Sequence, residues 1–355
     1  MNTTLSLDDE VLRFLSSSHP DRAALRRDPY PFYDRLRSRA PVIRAELGPW
    51  LVTSYDAVNR LVRANRWTRE SSVPEEDLSV AERVFLRSLV FRDPPAHTRL
   101  RRILSPLFTA SVIERRRQRT RAIARELLDD LRSRDTFDFR RDFASELPVR
   151  LICEFIGMPL DARQQFEGWA HTVRDLQELA HETESAEQSA RRSSIAVPAR
   201  TVVLERANKT AAQCLAYFEA LLKEKRAAPG EDITSMLLAT SESDEAPLTT
   251  EEIVATLIIL HVGGHSTTTD AISTGQYTLF RHPMAQNKLR ADPRLVERAV
   301  EEMLRFDPPV TVGIPRFAPC GLRVVWGHDP ARRLRLSGAR CSESGPRSIR
   351  RAERV

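Results

Sequence analysis

A mainly α-helical fold with a small β-sheet near the N-terminus is what this sequence predicts. Three observations carry it: apolar residues recur at three- and four-residue spacing through most of the chain, β-forming runs are short and few, and one long helical segment carries its own start and stop signals. The 355 residues are 41% hydrophobic and 29% charged, ordinary globular usage, so a packed core is expected.

The opening MNTTLSLDDEVLRF lacks the basic and apolar segments of a secretory signal. No stretch approaches the roughly 18 uninterrupted apolar residues of a membrane span, so a cytoplasmic protein with no membrane partner is expected. DPYPFYDRLRSRAP (28–41) reads as a short helix, and PVIRAEL and PWLVTSY, separated by a Gly-Pro turn signal, read as a small hairpin. Amphipathic spacing predicts helices in AHTRLRRILSPLF, SVIERRRQRTRAIARELLDDLRS, LPVRLICEFIGMPL and DARQQFEGWAHTVRDLQELA. Residues 182–209 are polar and patternless, which predicts a long connection, and AAPGEDIT (227–234) is a turn into another helix.

Charge is distributed unevenly. The net charge of +6 invites a nucleic-acid reading, but residues 320–355 hold nine arginines against Asp329, Glu343 and Glu353, leaving 46 basic and 46 acidic side chains of the chain's 55 and 49 in the remainder. A neutral body with a basic tail argues against a phosphate-binding surface on the fold, so no nucleic-acid partner is expected. The four cysteines, Cys153, Cys214, Cys320 and Cys341, show no metal-type spacing; Cys153 and Cys214 sit among apolar residues, as buried free thiols do.

The long helix starts at a capping box, Thr249 with Glu252, and is stopped by Pro283, a span of roughly 48 Å at about 1.5 Å per residue. At its centre stands LHVGGHSTTTDAIS, and a mid-helix glycine costs about 1 kcal/mol relative to alanine. Close helix packing is one reason for Gly263 and Gly264. The other is a polar notch for a bulky ligand, opened where the Thr267 hydroxyl takes the Gly263 carbonyl out of the helical ladder. In DPPAHTRLRR (93–102), Asp-Pro-Pro sets a helix start and His97 and Arg101 point one cationic pair to the same side. In AVEEMLRFDPPV (299–310), Glu302 and Arg305 are three apart on an apolar helix ending before Pro308, an ion pair on the bland reading.

The joint order of DPYPFYDRLR, DPPAHTRLRR, GGHSTTT inside a long helix, and EEMLRFDPP resembles that of a bacterial soluble cytochrome P450, a haem-thiolate monooxygenase, over about residues 25–319. The resemblance implies haem b as cofactor, a small organic substrate, and a ferredoxin or similar electron-transfer partner with an NAD(P)H-dependent reductase. It implies that Gly263, Gly264, Ser266 and Thr267 form the oxygen-activation segment of the central helix. Ser266 stands where the family carries an acid, so proton delivery would need water or another hydroxyl such as Thr268. By the same resemblance His97, Arg101 and Arg316 would bind the haem propionates, and Glu302 with Arg305 would be a structural pair beneath the haem.

One family element is missing. The loop Phe-x-x-Gly-x-x-x-Cys-x-Gly, whose thiolate holds the iron, fits neither Cys320, preceded by Gly313 and Arg316 at the two tested positions, nor Cys341, preceded by Leu334 and Ser337. The expected organisation is therefore a domain over 1–319, incomplete at its C-terminus, and a basic tail over 320–355 foreign to the fold, a shifted frame or a fusion, with a divergent C-terminus as the alternative. A thiolate pushes electron density toward bound dioxygen and favours its cleavage. Without one the chain is expected to be catalytically impaired or dead. The alternative function is a non-catalytic helical binding protein whose basic tail contacts anionic partners.

Overall fold

The computed structural model describes residue 11 and residues 27–44, 50–64, 67–70, 75–162, 168–169, 200–311, 313, 316–317 and 323–326. They fall into two compact units, a sheet unit drawn from Asp21–Thr68 and Val312–Val355 and a helical unit drawn chiefly from Arg69–Thr311.

In the sheet unit, helix α1 (Tyr30–Arg39) buries Phe32, Tyr33 and Leu36. Strands β1 (Val42–Arg44) and β2 (Trp50–Val52) form the expected antiparallel hairpin, Ile43 opposite Leu51. The second run turns helical sooner than its sequence predicts. The Ser54 hydroxyl accepts from the Ala57 N–H and starts α2 (Tyr55–Arg63), whose Ala57 and Leu61 pack on Val52.

The sheet is larger than the N-terminal hairpin. β3 (Arg316–Phe317) and β4 (Arg323–Trp326) complete a four-stranded sheet of order β1-β2-β4-β3, with β4 parallel to β2 and antiparallel to β3. Ordered structure therefore crosses the boundary expected at 319: the RVVW of β4 is β-branched and aromatic, and its backbone pairs with that of β2. Residues 327–355 lie outside the described residues.

The helical unit contains α3 (Val80–Leu86), α4 (Ala96–Leu104), α5 (Ala110–Arg132), a π-helical turn Arg140–Ser145, α6 (Glu146–Ile156), α7 (Arg200–Ala227), α8 (Ile233–Glu242), α9 (Thr250–Arg281), α10 (Pro283–Ala291) and α11 (Val296–Phe306). Helix α7 overrides the connection expected over 182–209. From Arg200 the chain is helical, because Ala207, Ala211, Cys214, Phe218 and Leu222 recur on one buried stripe that the polar residues between them obscure. Residues 182–199 and most of the helix expected over 161–180 lie outside the described residues.

Helix α9 is the long central helix. Its capping box is formed as expected, with Glu252 N–H donating to Thr249 Oγ1 at 3.2 Å and Thr249 N–H to Glu252 Oε2 at 2.9 Å. It packs on α6, on the π-turn and on α11. The expected interruption at its centre does not occur: α9 is continuous from Thr250 to Arg281. Thr267 Oγ1 donates to the Gly263 carbonyl at 2.7 Å, and a carbonyl oxygen has two lone pairs, so the hydroxyl is added to the helical ladder rather than breaking it.

Candidate functional site

Helix α4 carries four cations on nine residues, and the fold sorts them. Arg99 donates to the carbonyls of Ala246 and Pro247 at 3.3 and 3.2 Å and pairs with Glu252; Arg102 pairs with Asp244, Nη2 to Oδ1 at 2.9 Å. His97 and Arg101, one turn apart, have no ion pair among the described residues. The start of α4 is fixed by Asp93, whose carboxylate accepts from the backbone N–H of Arg69 at 2.9 Å and whose own N–H donates to Glu70 Oε1 at 3.1 Å.

That tie brings a third cation beside the pair. Partial burial lowers the His97 pKa first, the Arg69 and Arg101 guanidiniums lower it further, and Asp93 opposes them. Two guanidiniums beside a partly buried imidazole make a place where a carboxylate is stabilised by charge-assisted hydrogen bonds. Sequence spacing found His97 and Arg101. Arg69 was missed, since only the tertiary bond to Asp93 puts it there.

On α9 the two glycines part company. A Cβ built at Gly264 would come within 2.9 Å of Ile152 Cδ1, whereas one at Gly263 would meet nothing within 4 Å. Gly264 is thus a packing residue of the α6–α9 contact. Gly263, with Thr267 four residues on, faces open space. Ser266 Oγ donates to the Val262 carbonyl at 3.2 Å, and Thr268 lines a groove with Gly264 and Ile152, away from the Gly263 face. Thr268 is therefore not the stand-in hydroxyl expected from sequence, because 3.6 residues per turn put it beside Gly264.

Two buried histidines also went unread. His261 and His265 have ring centroids 5.8 Å apart, and His265 Nε2 lies 3.3 Å from Ser145 Oγ in the π-turn. Their four-residue spacing in HVGGH was the available signal.

Glu302 and Arg305 are joined by two hydrogen bonds of 2.5 and 2.6 Å, and that bonding holds the Glu302 carboxyl below the usual range. The pair is exposed on α11, beside Val300, Leu304 and Phe306, which are also exposed. Arg316 is buried in β3, within the sheet unit, its backbone opposite Val324.

The described cysteines do not supply an iron ligand. Cys153 and Cys214 are buried inside α6 and α7, and burial pushes the Cys214 thiol far above its ordinary pKa. For Cys214, where desolvation alone is the cause, burial therefore favours the neutral thiol. Among the described residues, no three His, Cys, Asp or Glu side chains cluster to hold a metal ion, and no helix is long and apolar enough to cross a membrane. Donors suited to propionates are thus present on α4, while a thiolate for the iron is not found among the described residues.

The long capped helix with an open Gly-Thr face, the cation pair on α4 and the Glu302–Arg305 clasp define a protein of the haem-thiolate class. The family model described as Cytochrome P450 matches residues 49–325, and the chain belongs to that family. Haem b is the cofactor of the family's members. The vitamin D(3) 25-hydroxylase of Pseudonocardia autotrophica is 32% identical over 82% of this chain and 67% of its own length. The cytochrome P450 monooxygenase PikC of Streptomyces venezuelae is 32% identical over 82% of this chain and 65% of its own. Among solved structures, P450BioI in complex with acyl carrier protein ligated to hexadec-9Z-enoic acid superposes with a TM-score of 0.73 at 28% identity, over 86% of this chain and 78% of that one. The chain spans about two thirds of the length of the curated relatives it matches.

Proposed function

We propose that this chain is a haem-binding scaffold of a cytochrome P450 monooxygenase that does not itself activate oxygen. In the complete family reaction, haem b supplies the iron chemistry that inserts one oxygen atom into a small organic substrate, with electrons from a ferredoxin or similar partner and its NAD(P)H-dependent reductase. His97 and Arg101 would hold the haem propionates, the Gly263–Thr267 face would leave room for the group, and Glu302 with Arg305 would brace the helix on which they stand. Ser266 offers a hydroxyl but no acidic proton at the position expected to feed the site.

The observation that carries the reading is the state of the cysteines. Cys153 and Cys214 are buried inside helices, and the sequence around Cys320 and Cys341 lacks the ligand loop. A haem without a thiolate lacks the donor that favours O–O cleavage. The test is reconstitution of the purified chain with haem, reduction and addition of carbon monoxide. The expected spectrum carries no thiolate-type Soret displacement, and observing that displacement overturns the proposal.

A second reading, a non-catalytic binding protein, is favoured by the nine arginines of residues 320–355. It requires retention on a polyanion column that falls with salt and vanishes when those residues are removed.

A further inference from the structure

Asp93 joins two segments that lie well apart in sequence. Its carbonyl accepts from the His97 N–H at 2.9 Å and so starts α4, while its carboxylate accepts from the Arg69 N–H at 2.9 Å, across 24 residues of chain. A second connection runs back from the Asp93 N–H to Glu70 Oε1 at 3.1 Å. Arg69 is thereby fixed beside the first turn of α4. The same bonds decide which charges remain available. The Asp93 carboxylate is engaged by the backbone N–H groups of Arg69 and Glu70, and the Glu70 carboxylate by the Asp93 N–H, with Arg92 at 3.9 Å. Arg99 and Arg102 are engaged by Glu252 and Asp244. Among the described residues, the side chains of Arg69, His97 and Arg101 make no hydrogen bond or ion pair, and Arg69 is partly buried. Burial lowers the His97 pKa first, and Arg69 then acts on it more strongly than Arg101, its neighbour one turn along α4.

We propose that Arg69 is a third ligand of the carboxylate that His97 and Arg101 hold, and that Asp93 is its positioning residue. The proposal rests on the reading of His97 and Arg101 as a haem propionate site. A guanidinium presents its donors in a rigid fork that matches a carboxylate, and hydrogen bonds between charged partners are shorter and stronger than neutral ones. Helix α4 cannot add such a donor from its own sequence, because its two other arginines already have acids. A second segment has to bring it, and Asp93 is the residue that ties that segment to the helix. In the empty site two guanidiniums and a titratable imidazole stand together with Asp93 as the one acid that opposes them. An incoming carboxylate relieves that repulsion, so the charge of Arg69 acts on binding even though its backbone alone is bonded to α4's first turn.

The test compares haem with its dimethyl ester, whose propionates are capped and uncharged, in absorbance titrations of the full purified chain. The parent is expected to hold haem more tightly than the ester by about tenfold or more. Arg69→Gln should weaken haem by about tenfold and leave the ester unchanged, and Arg69→Lys, which keeps the charge without the fork, should lose less. Asp93→Asn, whose amide oxygen still accepts from the Arg69 N–H, should keep more of the haem affinity than Asp93→Ala. A second readout needs no haem: in an NMR titration of the imidazole, Arg69→Gln should raise the His97 pKa toward its ordinary value. Equal weakening of haem and ester by Arg69→Gln would assign the residue to folding, and an unchanged His97 titration would place its charge away from the imidazole; either result overturns the proposal. A parent that prefers haem and an Arg69→Gln chain that prefers it equally overturn the role of Arg69 and leave the propionate reading standing. A parent that does not distinguish haem from the ester overturns both.

Discussion

The two halves of α9 are one continuous helix in two surroundings. In the first half Ile253, Val254, Ala255, Thr256, Leu257 and Ile258 are buried in succession, so the helix is enclosed on every side. In the second half Tyr277 and Phe280 are 58% and 62% exposed, and Gly275 lies close to α11, where an added Cβ would come within 3.0 Å of Met303 Sδ. The hydroxyls divide the same way. Thr256 is fully buried and its hydroxyl has no hydrogen-bond partner among the described residues, whereas Ser266, Thr267, Thr269, Ser273 and Thr274 each donate to the carbonyl four residues back. The first half is scaffold, held by burial. The second half satisfies these five hydroxyls on its own backbone, and it reaches other elements through Asp270, paired with Arg140 at 2.8 Å, and through Thr274, 3.4 Å from the Asp307 carbonyl.

Truncation at the two ends of the helix probes this contrast most strongly. Leu257→Ala, at a fully buried position, is expected to cost about 3 kcal/mol, and Phe280→Ala less than about 1 kcal/mol, by urea unfolding. Comparable losses would mean that the second half is buried in solution. The hydroxyls come next and should act with opposite signs. Thr256→Val removes a buried polar group without a partner and is expected to stabilise by about 1 kcal/mol; Thr269→Val removes a buried bonded hydroxyl and should destabilise by a similar amount.

The glycines give a subtler pair of signs. Gly263→Ala gains helix propensity with nothing to strike, so a rise of up to about 1 kcal/mol is expected, while Gly264→Ala must displace Ile152 and should lose most or all of that gain. Thermal melts of the two variants measure the difference directly. The smallest effect is the pH dependence from His97. Its folded pKa is lowered, so the unfolded chain binds the proton more readily and stability drops as pH falls through the unfolded value of about 6.5. His97→Gln should remove that slope between about pH 7.5 and 5.5. A carboxylate ligand at His97 and Arg101 should reverse it, since an anion favours the charged imidazole.

Much of this was legible in the sequence. The helical class, the hairpin, the capping box at Thr249 and the α4 start at Asp-Pro-Pro all follow from rules acting over four or five residues, and the structure contains them. The extent of the sheet was not legible, because β4 is specified by a parallel partner more than 250 residues away and its four residues sit in an arginine-rich context. The start of α7 was hidden by polar residues around Ala207, whose burial depends on what packs over it. At the site, spacing alone could pair His97 with Arg101 and Gly263 with Thr267, since each pair lies one helical turn apart. It could not say which of the four α4 cations are consumed by Asp244 and Glu252, nor which of two adjacent glycines meets a neighbour.

The sequence by itself determined where helices begin and end and which residues share a helical face, because capping, periodicity and proline act locally along the chain. Tertiary structure alone decided which face each residue spends on packing: Gly264 on Ile152, Gly275 on Met303, Arg99 on Glu252, while Gly263 meets no neighbour and His97 and Arg101 have no ion pair among the described residues. That choice depends on contacts between elements distant in sequence, and no local pattern encodes the side on which a neighbouring helix will arrive.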